Sequence, residues 1–222
     1  MFKRVRLTGL IRTLVLILPA ALAACNTTAP SPPAAAVAPA VDPVTAQRYA
    51  AINDDRYPVP GVDPATLKPR NVRQLVDFPT TEKPGTIVVD ADARFLYLVQ
   101  ESGKALRYGV GVGKEGLEFK GSATVQRKAQ WPRWTPTPDM IRREPERNRR
   151  WASGMEGGTD NPLGARALYL FKDGRDTLYR IHGTNEPGTI GEAVSSGCIR
   201  MMNQDAIDLY GRVPTGAKVV VL

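Results

Sequence analysis

The chain has 222 residues, of which 42% are hydrophobic and 23% charged, so it can fill the core of an ordinary domain and is neither wholly disordered nor fibrous. Four of its 30 basic residues lie within the first 24, and without them the net charge of +8 falls to +4, which gives little support to nucleic-acid binding. One histidine and two cysteines are too few for a zinc site built from these ligands.

The first 24 residues have the pattern of an export signal. A basic, acid-free leader precedes the apolar run 14–24, which is shorter than the about 20 residues that a spanning helix needs. The run ends in LAAC (residues 22–25), which resembles the bacterial lipobox. This resemblance implies that Cys25 is acylated, starts the mature protein and anchors it in a membrane. Since Asn26 is not the aspartate that keeps some lipoproteins at the inner membrane, it also implies the outer membrane. The alternative is a plain signal peptide followed by an unmodified cysteine.

Two segments separate this signal from the main domain. Residues 25–45 are rich in alanine and proline, a composition that cannot bury a core and is typical of an extended tether. Residues 46–84 form an N-terminal extension. A short helix is predicted at residues 44–53, and the proline-rich stretch that follows is predicted to be extended.

Short strands dominate the main domain, residues 85–222. Runs of β-branched and aromatic residues at 86–90 and 94–100, separated by a turn-rich Ala-Asp-Ala, predict a hairpin. Further strands are predicted at 105–112, 123–130, 165–171, 177–181 and 218–222, with a turn at 172–176. Only residues 138–144 and 204–213 look helical, the second with Asn203 as N-cap and with Ala206, Ile207 and Tyr210 facing inward. The pattern predicts a mostly β protein, a sandwich or open barrel with a few short helices.

The chemistry of the chain is concentrated in residues 180–201. The single histidine, His182, follows a predicted strand, and Cys198 lies sixteen residues later. Exported proteins usually pair their cysteines, but acylation of Cys25 would leave Cys198 without a partner. The Ser-Ser-Gly ahead of Cys198 and the capped helix after it offer backbone amides that are predicted to lower the thiol pKa. A thiolate nucleophile with an imidazole base fits this pair, although a buried structural cysteine and a core histidine remain alternatives.

The residues around this pair resemble a known family. His-Gly-Thr at 182–184, followed by Ser-Ser-Gly-Cys-Ile-Arg-Met at 195–201, resembles the active-site signature of the L,D-transpeptidases, the YkuD-type enzymes that cross-link peptidoglycan. Residues 161–168 resemble the strand-entry segment ahead of that site. The resemblance covers residues 85–222 and implies a YkuD-like fold.

The resemblance assigns the catalytic roles. Cys198 is the implied nucleophile and His182 the base that takes its proton. The backbone carbonyl of Gly183 is implied to orient the imidazole. The family usually has a second histidine directly before the Gly-Cys pair, where this chain has Ser196, so activation of the thiol rests on His182 alone.

Other residues of the motif have implied supporting roles. The backbone amides of Gly197 and Cys198 are the implied oxyanion donors, in the same loop as Ser196. Arg200 either holds carboxylates of the stem peptide or braces the loop, and Asn185 is an implied substrate-binding residue.

The implied reaction is acyl transfer without a metal or organic cofactor. The thiolate attacks the L-centre carbonyl of the diamino acid at position three of a tetrapeptide stem, and D-alanine leaves. An acceptor amine then resolves the thioester, giving a 3→3 cross-link or attaching a cell-envelope protein to the wall. The alternatives are an L,D-carboxypeptidase or endopeptidase of the same fold, a non-catalytic wall-binding lipoprotein, and an unrelated cysteine hydrolase. The implied location is the periplasmic face of the cell envelope.

An arginine-rich segment, residues 131–151, is the most unusual stretch outside the motif. It contains all three tryptophans of the chain, and five arginines lie between residues 142 and 150. The simpler interpretation is a solvated insertion with aromatic residues packed beneath it. The alternative is a lid over the active-site cleft, whose cations meet the carboxylates of the stem peptides.

Overall fold

The computed structural model describes residues 42–53, 55–113, 119–195 and 197–222. The predicted signal peptide, the lipobox residue Cys25 and most of the predicted tether lie outside the described residues, as does Ser196.

Within this described part, nine strands form one mixed sheet and two more form a small second sheet. The strands are β1 (Gln74–Asp77), β2 (Ile87–Asp90), β3 (Phe95–Val99), β4 (Lys104–Gly109), β5 (Val112–Gly113), β6 (Gly121–Gln130), β7 (Arg166–Lys172), β8 (Arg175–His182), β9 (Ala193–Ser195), β10 (Ile199–Arg200) and β11 (Lys218–Val221). The large sheet has the order β1-β4-β3-β2-β11-β6-β7-β8-β10, and β5 pairs with β9. The mostly β fold class is confirmed, and so is the antiparallel hairpin of β2 and β3.

The core lies against the buried face of the sheet. Strands β2 and β3 bury nearly every residue, which explains their continuous β-branched and aromatic runs. The largest fully buried side chains include Ile87, Leu96, Leu168, Ile181 and Leu209. Burial of one such aliphatic side chain contributes about 1.5–3 kcal/mol to the free energy of unfolding, so this cluster stabilises the fold.

The far edge of the sheet turns back towards the segment that follows β4. Gly111 and Arg200 form an antiparallel bridge, with hydrogen bonds of 2.9 Å from the Gly111 N–H and 2.7 Å from the Arg200 N–H to the opposite carbonyls. A Cβ at Gly111 would approach the Thr189 carbonyl oxygen to 2.9 Å, so glycine permits this contact. The bridge ties the last strand of the sheet, β10, to the chain that leaves β4.

Four short α-helices lie in the described residues: α1 (Pro43–Arg48), α2 (Pro138–Arg143), α3 (Pro145–Asn148) and α4 (Asn203–Arg212). The predicted N-cap of α4 is wrong, because Met202 is the cap and Asn203 is the first helical residue. The predicted inward stripe is confirmed, since Ala206 is fully buried and the half-buried Ile207 and Tyr210 pack against core clusters. The helix also buries Gln204, Asp205 and Leu209.

The N-terminal extension is integrated into the main domain. Its strand β1 pairs with β4 at one edge of the large sheet. The prediction that the proline-rich stretch is extended is wrong in two places. The chain forms 3-10 turns at Pro64–Thr66 and Pro69–Asn71. Proline at the first position of such a turn has a suitable φ and no N–H to satisfy, which accounts for the error.

A buried polar cluster fixes the extension to α4. The Tyr49 hydroxyl donates to the Asp205 carboxylate, 3.0 Å from Oδ2, and accepts the backbone N–H of Arg73 at 2.8 Å. The Gln204 amide donates to the Pro60 carbonyl at 2.9 Å. Burial raises the pKa of Asp205 to about 7, although the Arg73 guanidinium and the Tyr49 hydroxyl act in the opposite direction.

No helix in the described part of the chain is both long and apolar enough to cross a membrane.

Tyr49→Phe is expected to lower the free energy of unfolding by about 1–3 kcal/mol, because Asp205 and the Arg73 N–H both lose a buried partner. Urea unfolding at pH 7 measures this loss. Tyr57→Phe is the matched control, since the described residues give the Tyr57 hydroxyl no hydrogen bond while its ring packs on Trp131. Equal effects of the two variants would contradict a stabilising role for the cluster.

Candidate active site

His182 and Cys198 line one cavity of about 250 Å³. Its other walls come from β8, from the loop before Cys198 and from residues 134–163. The residues that line it include Trp134, Met140, Glu144, Arg147, Arg150, Trp151, Met155, Asp160, Leu178, Asn185, Ser195 and Arg200. The cavity therefore brings together two residues that are sixteen positions apart in the sequence.

His182 is held at the end of β8 by its neighbour. Its Nδ1 lies 2.5 Å from the Gly183 carbonyl oxygen, the contact that the family resemblance implies. Because a carbonyl can only accept, Nδ1 carries the proton and Nε2 has the free lone pair. Burial lowers the His182 pKa to about 4; the bond to Gly183 opposes this shift, and the charges of Arg200 and Arg180 add to it. The imidazole is therefore neutral near pH 7 and can accept a proton.

Asn203 braces the backbone next to His182, a role that the sequence analysis missed. Its Oδ1 accepts the Ala165 N–H at 2.9 Å, and its Nδ2 donates to the Thr184 carbonyl at 2.9 Å. A Cβ on Gly164 or Gly183 would collide with this Oδ1. Gly164 and Gly183 were the signal in the sequence that could have indicated this brace, because glycine allows another group to approach the backbone closely.

Cys198 is placed beside β8 by a short parallel pairing. Ile199 and Arg200 of β10 lie opposite Ile181 and His182 of β8. Cys198 directly precedes them, and it forms no disulfide with the residues that the structure describes. Its thiol donates to the Leu178 carbonyl, with 3.8 Å between Sγ and O.

Leu178, which receives this bond, has a strained backbone. Its φ is +64°, the left-handed region that branched residues rarely adopt. It lies where the register between β7 and β8 shifts, so an irregularity in the sheet directs its carbonyl to the thiol. Strain of this kind is common at functional sites.

The predicted lowering of the thiol pKa is wrong for this structure. Burial raises the pKa of the Cys198 thiol, and this exceeds the opposite effects of the Arg180 backbone N–H and of the Arg180 and Arg200 charges. The desolvation cost of a buried thiolate is the physical reason. The resting site therefore holds a neutral thiol and a neutral imidazole.

The predicted oxyanion donor Gly197 is already engaged. Its N–H donates to the Ser195 hydroxyl at 3.2 Å, and that hydroxyl donates to the Cys198 carbonyl at 2.6 Å. Gly197 has a φ of +124°, which favours glycine in this loop. Ser195 thus ties the backbone around Cys198, whereas Ser196 lies outside the described residues.

Arg200 and Asn185 both make contacts within the protein. The Arg200 guanidinium pairs with Glu186, 3.0 Å between Nη1 and Oε2. The Asn185 amide donates to the Asp160 carbonyl at 2.9 Å. Of the two roles predicted for Arg200, the pair with Glu186 fits the brace, and carboxylate binding stays a prediction.

The arginine-rich segment forms one wall of the cavity. Trp134, Met140 and Trp151 line it, whereas Trp131 is buried under the segment. The Trp131 indole N–H donates to Asp55 at 2.9 Å, and Asp55 pairs with Arg166 at 2.6 Å. The N-terminal extension therefore fixes the start of this wall.

In the described residues, no group of histidine, cysteine and acidic side chains is arranged to hold a metal ion.

The sequence model described as YkuD, L,D-transpeptidase catalytic domain, matches residues 84–221. The chain belongs to this family. It is 36% identical over 168 residues to "Probable L,D-transpeptidase ErfK/SrfK" of Escherichia coli K12, covering 73% of this chain and 53% of that protein. It is 34% identical over 167 residues to "Probable L,D-transpeptidase YbiS" of the same strain, covering 72% and 52%. The chain thus matches about half the length of these relatives.

One solved structure, from Brucella melitensis, is 54% identical to the chain, with a TM-score of 0.49, and covers 71% of this chain and 97% of that one. It is called "Probable carnitine operon oxidoreductase caia".

The rate of Cys198 alkylation by iodoacetamide is expected to rise through the alkaline range. Because burial raises the thiol pKa, the thiolate fraction at pH 7 lies below that of an ordinary cysteine and grows as the pH increases. Mass spectrometry of the Cys198 peptide across pH 5–10 measures the rate, with Cys198→Ala and a free cysteine peptide as references. A reactivity plateau already reached below pH 7 would show a preformed thiolate–imidazolium pair and contradict the neutral resting state.

Proposed function

We propose that the protein is a peptidoglycan L,D-transpeptidase that acts through a cysteine acyl-enzyme. The observation that carries the proposal is the pairing of β10 with β8, which brings Cys198 to the cavity that His182 lines. The imidazole is neutral, its Nδ1 is held by Gly183, and its Nε2 is left to act as a base. Family membership supports the same chemistry.

The first half-reaction forms a thioester. His182 Nε2 takes the proton of the Cys198 thiol as Sγ attacks the L-centre carbonyl carbon of the third stem residue, a diamino acid. The carbonyl π electrons move to the oxygen, and the backbone N–H of Cys198 is the proposed oxyanion donor. When the tetrahedral intermediate collapses, the C–N bond breaks and His182 returns the proton to the amine of the leaving D-alanine.

The second half-reaction transfers the acyl group. An acceptor amine attacks the thioester carbon, His182 takes the amine proton, and the C–S bond breaks with return of that proton to Sγ. An amine of a second stem gives a 3→3 cross-link, and an amine of a cell-envelope protein attaches that protein to the wall. Water as acceptor would make the enzyme an L,D-carboxypeptidase or endopeptidase.

The neutral resting pair suits this cycle. An imidazole whose pKa is about 4 takes up little proton from solvent at neutral pH, so it stays available as the base. It is also a weak base, so proton transfer and attack on the carbonyl are expected to occur together rather than through a stored thiolate. The guanidinium groups of Arg180 and Arg200 stabilise the negative charge that develops on sulfur.

Purified tetrapeptide muropeptide is expected to give cross-linked dimers when a second stem is present as the acceptor. His182→Ala should reduce the rate by about 10²–10⁴, the usual contribution of a general base, and Cys198→Ala should abolish product. Mass spectrometry separates dimers from tripeptides. Tripeptides without dimers would show that the protein is the hydrolytic alternative. If no product depended on Cys198, the proposed enzyme activity would be excluded.

We further propose that the protein is lipid-anchored through Cys25 and faces the periplasm, on the outer membrane. The lipobox-like LAAC and the proline-rich tether support this location. Cys25→Ser is expected to move the protein from the membrane to the soluble fraction, because the acylation site is lost. Fractionation and immunoblotting measure the shift, and Cys198→Ser is the matched control that keeps the anchor. Unchanged membrane association of Cys25→Ser would contradict acylation.

A further inference from the structure

Three arginines line the cavity: Arg147 and Arg150 from the arginine-rich segment, and Arg200 from the strand that follows the nucleophile. A guanidinium remains charged at any physiological pH and presents a planar set of donors that matches a carboxylate. Their individual partners therefore decide which of the three is available to a substrate anion.

One carboxylate neutralises two of these cations. Glu186 Oε2 lies 3.0 Å from Arg200 Nη1, and Glu186 Oε1 lies 3.3 Å from Arg147 Nη2. Arg147 has a second acidic neighbour, Glu144, at 3.7 Å. A substrate anion that bound either arginine would have to compete with Glu186 and leave a protein carboxylate without its partner.

Arg150 has a different environment. Within the described residues it forms no ion pair, and the acidic residues that line the cavity, Glu144 and Asp160, are not among its partners. Its guanidinium carbon lies 5.2 Å from the centroid of the Trp151 ring. This contact limits the orientations of the guanidinium without satisfying its N–H groups.

We propose that Arg150 is the specificity-determining residue that binds a carboxylate of the donor stem peptide, and that Trp151 orients it. This inference rests on the proposed transpeptidase function. Two carboxylates of the donor can supply the ligand: the C-terminal carboxylate of the D-alanine that leaves, and the carboxylate on the second centre of the third-position diamino acid. Arg200, which the sequence analysis considered for this role, then acts as the brace that holds Glu186.

The two carboxylates predict different kinetics. If Arg150 holds the D-alanine carboxylate, the contact is lost with the leaving group. If it holds the diamino acid, the contact persists in the acyl-enzyme and also protects the thioester. In both cases Arg150 contributes to binding rather than to proton transfer, so its loss affects KM more than kcat.

The test compares Arg150→Gln with Arg149→Gln. Like Arg150, Arg149 is exposed and forms no ion pair with the described residues. Unlike Arg150, it does not line the cavity. Each variant is assayed with three donors: the unmodified tetrapeptide, the peptide amidated at D-alanine, and the peptide amidated at the diamino acid. Arg150→Gln is expected to raise KM about three- to tenfold for the unmodified donor. Amidation of the carboxylate that Arg150 binds should raise the wild-type KM similarly and abolish the difference between wild type and variant.

Arg150→Lys is expected to recover part of the affinity, because the charge remains while the planar fork is lost. The proposal is overturned if Arg150→Gln leaves KM unchanged, if Arg149→Gln raises it equally, or if both amidated donors still distinguish wild type from variant. All of these outcomes require Cys198-dependent turnover by the wild type. Absence of that turnover would instead overturn the proposed function, so the two failures are distinguishable.

Discussion

The parallel pairing between β10 and β8 is the interaction on which the site depends. It consists of two residue pairs, Ile199 with Ile181 and Arg200 with His182. Because β8 ends at His182 and β10 begins directly after Cys198, this register brings both residues to the same cavity. The Gly111 bridge to Arg200 holds the other side of β10, so the strand that directly follows Cys198 is fixed from two directions.

Desolvation decides the chemistry of the pair that this pairing creates. Burial lowers the pKa of His182 and raises that of Cys198, so each favours its neutral form. The Gly183 carbonyl selects the imidazole tautomer, and Ser195 organises the backbone around the thiol. The neutral pair supports the proposal that the proton moves during attack rather than before it.

The walls of the cavity depend on contacts between distant parts of the chain. Asp55, from the N-terminal extension, binds both Trp131 at the start of the arginine-rich segment and Arg166 in β7. Glu186 then connects that segment, through Arg147, to Arg200, two residues after Cys198. These ion pairs give a basic segment a defined charge pattern, in which Arg150 has no acidic partner among the described residues.

The sequence by itself determined the mostly β fold class and the family of the main domain. Runs of β-branched and aromatic residues with turn residues between them were enough for the β2–β3 hairpin. The His-Gly-Thr and Ser-Gly-Cys elements were enough to name the family. These signals lie in a few consecutive residues. Tertiary structure decided the direction of the Cys198 pKa, the engagement of Gly197, and the pairing of Arg200 with Glu186. It also gave Asn203 a bracing role in place of the expected cap, since its partners Ala165 and Thr184 lie 38 and 19 residues away. Burial and long-range pairing depend on which segments meet in space, and no local pattern of residues encodes that.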